Sequence, residues 1–359
     1  MNTLAAARSV ISTAVSSTMT AQQTDTVPLF DFQYVRVSAI AHCPVSTGNT
    51  RARYTAVVCH EQLPGKTLTV TWVAQAPKAA ITTWTLVRII WNGHRRIVNG
   101  VVEIKRLERA PEADGVTNLF LTVPDHPYCA NRALIGEAAS LFAKLPRELA
   151  QLHNHLLWDC DRFRRFVIGP SSLSDHHNIW QGNLEHSVQV ALIAVSIGEA
   201  MIDVDVPLLI FGGLVHDLAK CAEYHFSKSL ERFVLSDRGK LVGHRDTLIE
   251  WLAIAKNMMR TKLSEHQELT LHHMLFSSYD ARDSEGLRRK RTKESKILAA
   301  ADSMSGQCNL HQQYDPKTGL SGFGRYREKW GHAPFYLPRE SWGESANDPL
   351  FDPITRSAP

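Results

Sequence analysis

The run PLLIFGGLVHDLAK, residues 207–220, sets the reading of this 359-residue chain. It opens as a helix: Asp205 and Pro207 suit a helix start, and Phe211, Leu214, Val215 and Leu218 form one apolar stripe. It then sets His216 beside Asp217 where apolar residues are expected. A carboxylate in apolar surroundings is costly unless it is paired, hydrogen-bonded or bound to a metal.

The surrounding sequence repeats the pattern. From about residue 133 the apolar period is helical, through NRALIGEAASLFAKLPRELAQLHNHLLWDCDRFRRFV (131–167) and NLEHSVQVALIAVSIGEAM (183–201), the latter apolar nearly all round and therefore a central helix. SEHQELTLHHMLFSS (264–278) opens with Ser264 and Gln267 at capping-box spacing, and ESKILAAADSMSG (294–306) reads as a short helix ended by Gly306. Ligand-type residues interrupt these helices one or two at a time: His176 and His177, His186, His216–Asp217, His244, His272 and His273, and Asp302. A lone buried histidine is usually a hydrogen-bonded core residue. A series of them drawn from successive helices is how a bundle builds an internal site for a divalent metal. Such a site activates water near neutral pH and neutralises charge on a phosphoryl oxygen.

Residues 30–125 have a different texture. RYTAVVCH (53–60), KTLTVTWVAQ (66–75), WTLVRIIWNG (84–93), RRIVNGVVEIKRLER (95–109) and NLFLTVP (118–124) read as short strands broken by Gly, Pro and Asn. Strands this short and close suggest a small barrel, with an OB-fold as one candidate. The fold class is thus α+β in two domains: the OB-like barrel over 30–125 and a helical domain over 133–306. Residues 1–29 read as a disordered or loosely packed tail, and 307–359 as an irregular, aromatic and Pro-rich tail. On the barrel, Trp91, Arg95 and Arg96 are the candidates for nucleic-acid contact; Trp72, Trp84 and Arg88 are of the same kind. Taken one at a time, they read first as barrel core and a solvated basic face.

Composition narrows the class. The net charge of +4 permits a nucleic-acid partner without demanding one. The six cysteines have no paired spacing, which argues against a disulfide framework or zinc ribbon and suits a reducing cytoplasm. The first 28 residues lack the basic and apolar regions of a signal peptide, and no apolar stretch is long enough to span a membrane.

His186, His216–Asp217 and Asp302 resemble the HD-domain metal-dependent phosphohydrolases, an all-helical fold. HHNIWQGNLEHSVQVA (176–191), GGLVHDLAK (212–220), DRGKLVGHRDTLIEWLAIA (237–255) and SKILAAADSMSG (295–306) are similar to the YhaM-type exoribonucleases. That family joins an OB-fold to an HD domain and degrades single-stranded RNA, and sometimes DNA, from the 3′ end with a divalent metal such as manganese. The resemblance implies His186, His216, Asp217 and Asp302 as central metal ligands and His244 as ligand of a second ion, with Asp217 and Lys220 in catalytic positions. Lys220 would hold a phosphate oxygen. The implied cofactor is Mn²⁺, with Mg²⁺, Ni²⁺, Co²⁺ and Fe²⁺ as alternatives, in one or two ions. The implied partner is single-stranded RNA or DNA, and a homo-oligomer is compatible with it.

One segment departs from the family. Where it carries Ser-His-His-Gly after a His-Met, this chain has His273-Met274 followed by Ser277-Ser278-Tyr279-Asp280. Serine and tyrosine are poor ligands for these metals, so a second ion is weakly held or takes His272, His273 or Asp280 instead. The His-His, Glu-His-Ser and His-Asp segments also resemble HD-type relaxase domains of conjugative elements. The leading expectation is a metal-dependent phosphodiesterase of 3′-to-5′ exonuclease type. The rivals are a nucleotide phosphohydrolase and a strand-binding, relaxase-like protein with a degenerate HD site.

Overall fold

The computed structural model describes residues 27, 30, 32–45, 51–75, 81–93, 95–173, 177–260, 262–282, 286–314, 322–326, 328 and 331–336. His176, the expected tail over 1–29 apart from Val27, and most of 315–359 lie outside the described residues. The chain divides into one unit ending at Ser305 and another from Gly306 onward.

The first unit begins with a six-stranded, barrel-like sheet. Its strands are β1 (Val35–Pro44), β2 (Arg51–Cys59), β3 (Thr67–Gln75), β4 (Leu86–Trp91), β5 (Ile97–Val98) and β6 (Val101–Arg109). The order is β3-β2-β1-β4-β6-β5, antiparallel throughout except that β3 also meets β6 in parallel over Thr69–Val101, Val70–Val102 and Thr71–Glu103. Alternation sends Tyr54, Ala56 and Val58 of β2, Val70 and Trp72 of β3, and Val102 and Ile104 of β6 into one apolar core. Asn99 and Gly100, both at positive φ, form the two-residue turn that joins β5 to β6.

Two sequence expectations change here. NLFLTVP is not a strand: Leu119–Thr122 is a 3₁₀ turn, with the Asn118 side chain accepting from the Phe120 N–H. The run is apolar because both Leu119 and Phe120 are fully buried, and a short continuous apolar run carries no period to separate strand from turn. Conversely, VRVSAIAHCP forms β1, a strand whose Ala, Ser, His and Cys residues dilute the β-branched signal.

Helices fill the rest of the unit: α1 (Arg132–Ala143), α2 (Arg147–Leu157), α3 (Cys160–Ile168), α4 (Gly182–Glu199), α5 (Val206–Val215), the short α6 (Lys220–Glu223) and α7 (Asp237–Leu241), α8 (Gly243–Met258), α9 (Glu265–Phe276) and α10 (Lys293–Tyr314), whose last residues lie past Ser305. The expected caps are present. Asp205 accepts from the Leu208 N–H at 3.0 Å, and Ser264 and Gln267 form a full capping box. Gly306 does not end the last helix, which continues to Tyr314, since a single glycine weakens a helix without breaking it. A two-stranded hairpin, β7 (Tyr224–Ser227) with β8 (Arg232–Leu235), interrupts the helical series.

The barrel and the helices are locked together by burial. Tyr34, Trp84 and Leu86 belong to the apolar core of the helices rather than that of the barrel. Arg36 of β1, 1% exposed, donates to Thr122 Oγ1 at 3.0 Å and to the Trp84 carbonyl at 2.8 Å, with its guanidinium over the Phe163 ring. The second unit contains the antiparallel pair β9 (Gly322–Phe323) and β10 (Phe335–Tyr336), with Phe323 and Phe335 edge to face. No helix among the described residues is long and apolar enough to cross a membrane, and all six cysteines are free.

Candidate metal centre

The two glycines before the His-Asp pair explain how the site is assembled. A Cβ on Gly213 would lie 2.5–2.6 Å from the Cα, Cβ and N of Ala191, so α5 rests directly on the backbone of α4. That approach sets His216, at the end of α5, against His186 on α4. The helix stops at Val215, and His216 and Asp217 stand in the turn that follows it.

Donor atoms from three segments converge there. His186 Nε2 lies 3.3 Å from His216 Nε2, 3.3 Å from Asp217 Oδ2 and 3.1 Å from Asp302 Oδ1. His216 Nε2 is 3.6 Å from Asp217 Oδ2 and 3.8 Å from Asp302 Oδ1. Imidazole and carboxylate hold a divalent ion at roughly 2.0–2.2 Å, which places tetrahedral neighbours about 3.4 Å apart. The five separations just given, 3.1–3.8 Å, bracket that spacing. His186, His216 and Asp217 form the buried floor, while the Asp302 side chain is half-exposed and opens the site to solvent.

The far side of each imidazole decides which nitrogen faces the centre. His216 Nδ1 lies 3.0 Å from the Gly213 carbonyl, an acceptor only, so Nδ1 carries the proton and Nε2 points inward. His186 Nδ1 lies 3.0 Å from Ser305 Oγ, and Ser305 donates its own hydroxyl proton to Gln189 Oε1 at 3.1 Å. The serine therefore accepts from His186, which again turns Nε2 inward. Sequence reading missed Ser305 and Gln189. The available signal was spacing: each sits three residues beyond a candidate ligand, on the same helix face, as Asp302 to Ser305 and His186 to Gln189.

Without a cation, charge is balanced by a proton. Burial disfavours a charged His216, but Asp217 and Asp302 beside it outweigh burial and push its imidazole up to about 9. Burial likewise opposes ionisation of Asp217, yet Lys220, His216 and His186 hold its carboxyl well below the usual range. Asp302 is held down against burial by His186 and His216. Two carboxylates and two imidazoles in contact that must trap a proton have the chemistry of a cation site.

The other expected residues fall into three groups. Lys220 joins the centre: its Nζ is 2.6 Å from Asp217 Oδ2 and 3.3 Å from Ser171 Oγ. His244 stands at the rim, Nε2 3.7 Å from the second Asp217 oxygen, with Nδ1 fixed by Glu223 at 2.8 Å. His273 is directed elsewhere, because its Nε2 accepts the Arg291 N–H at 2.8 Å, and Tyr279 is exposed. On the barrel, Arg95 lies over the Trp91 ring, Arg96 is exposed, and Trp72 and Trp84 are buried in apolar cores.

Comparison with known proteins places these residues in a family. The HD domain family matches residues 183–306. The chain is 22% identical to the 3′-5′ exoribonuclease YhaM of Bacillus licheniformis over 227 residues, which is 63% of this chain and 69% of that protein. It is 25% identical to YhaM of Bacillus subtilis over 145 residues (40% of this chain) and 26% identical to YhaM of Bacillus pumilus over 147 residues (41%). In those two cases the match spans 45% of the relative's length, less than half. No solved structure matches the chain significantly. A histidine on α4, a His-Asp pair after α5 and an aspartate on α10, brought within contact inside a segment that matches this family, make residues 183–306 an HD domain.

Proposed function

We propose that the protein is a metal-dependent phosphodiesterase that shortens single-stranded nucleic acid from its 3′ end. The observation that carries the reading is the convergence of His186 Nε2, His216 Nε2, Asp217 Oδ2 and Asp302 Oδ1, with both outer imidazole nitrogens already engaged. The similarity to proteins named 3′-5′ exoribonuclease supports the substrate class and the polarity. His186, His216, Asp217 and Asp302 would hold the ion, Mn²⁺ by preference. When bound, it supplies an activated water and neutralises phosphoryl charge.

The chain's own residues do the rest. Lys220, held between Asp217 and Ser171, is placed to pair with a non-bridging phosphate oxygen entering from the half-exposed Asp302 side. Asp217 keeps one oxygen toward the two imidazoles and turns the other toward His244, so it positions a second ion or a water at the rim. With His273 bound to the Arg291 N–H, that rim retains fewer donors, and the reading favours one tightly held ion. The barrel-like sheet, read as an OB-type platform with Trp91, Arg95 and Arg96 on it, would guide the strand.

The test is incubation of end-labelled single-stranded RNA and DNA with the metal-stripped protein, with and without Mn²⁺, beside Asp217→Ala. Stepwise shortening in Mn²⁺ that Asp217→Ala abolishes is the expected result. Equal cleavage by the variant overturns the metal-centre reading, and hydrolysis of mononucleotides alone transfers the protein to the nucleotide phosphohydrolases.

A further inference from the structure

Aromatic side chains form an unbroken series from Trp84 to the β7–β8 hairpin. Trp84, just before β4, meets His126 edge-on at 6.2 Å, and His126 meets Tyr128 at 5.2 Å. Tyr128 stacks on Trp180 with centroids 3.8 Å apart and planes 12° from parallel. Trp180 then meets Phe226 and Phe233 of the hairpin at 5.2 and 4.7 Å. Tyr128 and Phe226 are 41% and 39% exposed, so the series is capped by rings open to solvent.

The series lies close along the chain to the residues of the site. Trp180 stands six residues before His186, and the neighbouring Gln181 accepts the Asn131 N–H at 2.9 Å, which anchors the Tyr128 loop beside it. The loop is further fixed by His126, whose Nδ1 accepts the Tyr128 N–H and whose carbonyl accepts the Cys129 N–H. Phe226 lies three residues after Glu223, the carboxylate that holds His244 at the rim. The same hairpin carries two exposed cations, Lys228 and Arg232.

We infer that Tyr128, Trp180 and Phe226 are a base-stacking platform, on which successive nucleobases of a single strand rest as its terminal phosphodiester enters the metal centre. The inference rests on the nuclease reading and names where the strand lies. Parallel rings at stacking distance with an open outer face accept one more flat ring, whatever the base, while the lysine and arginine of the hairpin take backbone phosphates. This assigns base contact to the junction of barrel and helices, in addition to the barrel face that carries Trp91.

Binding is read on the full chain carrying Asp217→Ala, which leaves the strand uncut, using fluorescein-labelled single-stranded RNA and DNA decamers and abasic decamers of the same length. Decamers with bases bind more tightly than abasic ones. Tyr128→Ala weakens the former roughly 5- to 100-fold, the effect of one lost stacking contact, and leaves the latter and the salt dependence unchanged. Tyr128→Phe keeps the ring and restores binding, and Phe226→Ala, at an exposed site, reproduces the loss. Equal affinity for abasic and normal strands, or no loss in Tyr128→Ala, overturns the inference; so does a change confined to oligomeric state, which makes the patch a contact between copies. Metal-dependent cleavage of the abasic decamer by the wild-type chain tests the nuclease reading separately, because that strand has no base to stack.

Discussion

Ser305 touches no candidate ligand oxygen, yet removing its hydroxyl should weaken metal binding. Its Oγ accepts the His186 Nδ1–H at 3.0 Å because its own proton is given to Gln189 at 3.1 Å. His186 is fully buried, so in Ser305→Ala the Nδ1–H loses the serine acceptor away from bulk solvent. The unsatisfied donor costs about 1–3 kcal/mol, and the imidazole relieves it by moving the proton to Nε2, where it blocks the ligand lone pair. Loss of such an outer partner weakens metal binding by roughly 10- to 100-fold, or about 1.4–2.7 kcal/mol. Gln189→Met supplies the discriminating test. It leaves the serine in place but frees the serine's proton to point at His186 Nδ1, favouring the wrong tautomer, and should weaken binding several-fold. The assay is calorimetric titration of Mn²⁺ into the metal-stripped protein, with circular dichroism as a check on folding. If both variants bind Mn²⁺ within twofold of wild type while His186→Ala abolishes binding, the tautomer argument is wrong.

Three further outcomes follow from the geometry. Gly213→Ala drives a methyl into the Ala191 backbone at 2.5–2.6 Å and should cost about 1–3 kcal/mol by thermal denaturation, whereas Gly212→Ala meets the flexible end of Met274 and should cost less. Mn²⁺ binding must displace the proton that Asp217 and Asp302 hold on His216, with its pKa near 9. Affinity should therefore rise about tenfold per pH unit between pH 6 and 8, with close to one proton released per ion in buffers of differing ionisation enthalpy. His153 is fully buried and its pKa is lowered to about 4, chiefly by burial, so the folded state binds fewer protons than the unfolded chain below pH 6.5. Its contribution is full above that pH and is lost as pH falls toward 4, on the order of 3 kcal/mol; urea midpoints at pH 7.5, 5.5 and 4.5 should flatten in His153→Leu.

The candidate ligands were legible because each violates a local rule. His186 lies on a helix apolar nearly all round, and Asp302 lies inside ILAAADSM, where packing needs no charge. The two periods, alternating before residue 110 and helical after 131, separate barrel from helices for the same reason: each reflects which side of an element meets apolar neighbours. What stayed hidden depends on contacts distant in sequence. Arg36 reads as an ordinary strand arginine, and only its burial against Thr122, Trp84 and Phe163 reveals it as a tie between barrel and helices. Tyr128, Trp180 and Phe226 lie in three separate segments with no common period, so no pattern in the sequence could join them.

The departure at Ser278 and Tyr279 acquires a physical meaning from its neighbours. Ser278 forms an isolated bridge with Arg289, so the basic run Arg288-Arg289-Lys290-Arg291 is laid against the segment where the resemblance expects histidines. Lys290 lies within 5.8 Å of the Tyr279 ring centre, and the Arg291 backbone takes the His273 nitrogen. Burial lowers the Lys290 pKa, Arg245 lowers it further and Asp302 partly restores it, which places two cations within electrostatic reach of the rim. Arg245 also carries a buried Nη2 with no hydrogen-bond partner among the described residues. A second divalent ion would enter this corner against fixed positive charge, whereas a phosphate would be drawn to it. This corner thus carries positive charge where the resemblance expects ligands, while His186, His216, Asp217 and Asp302 are in contact.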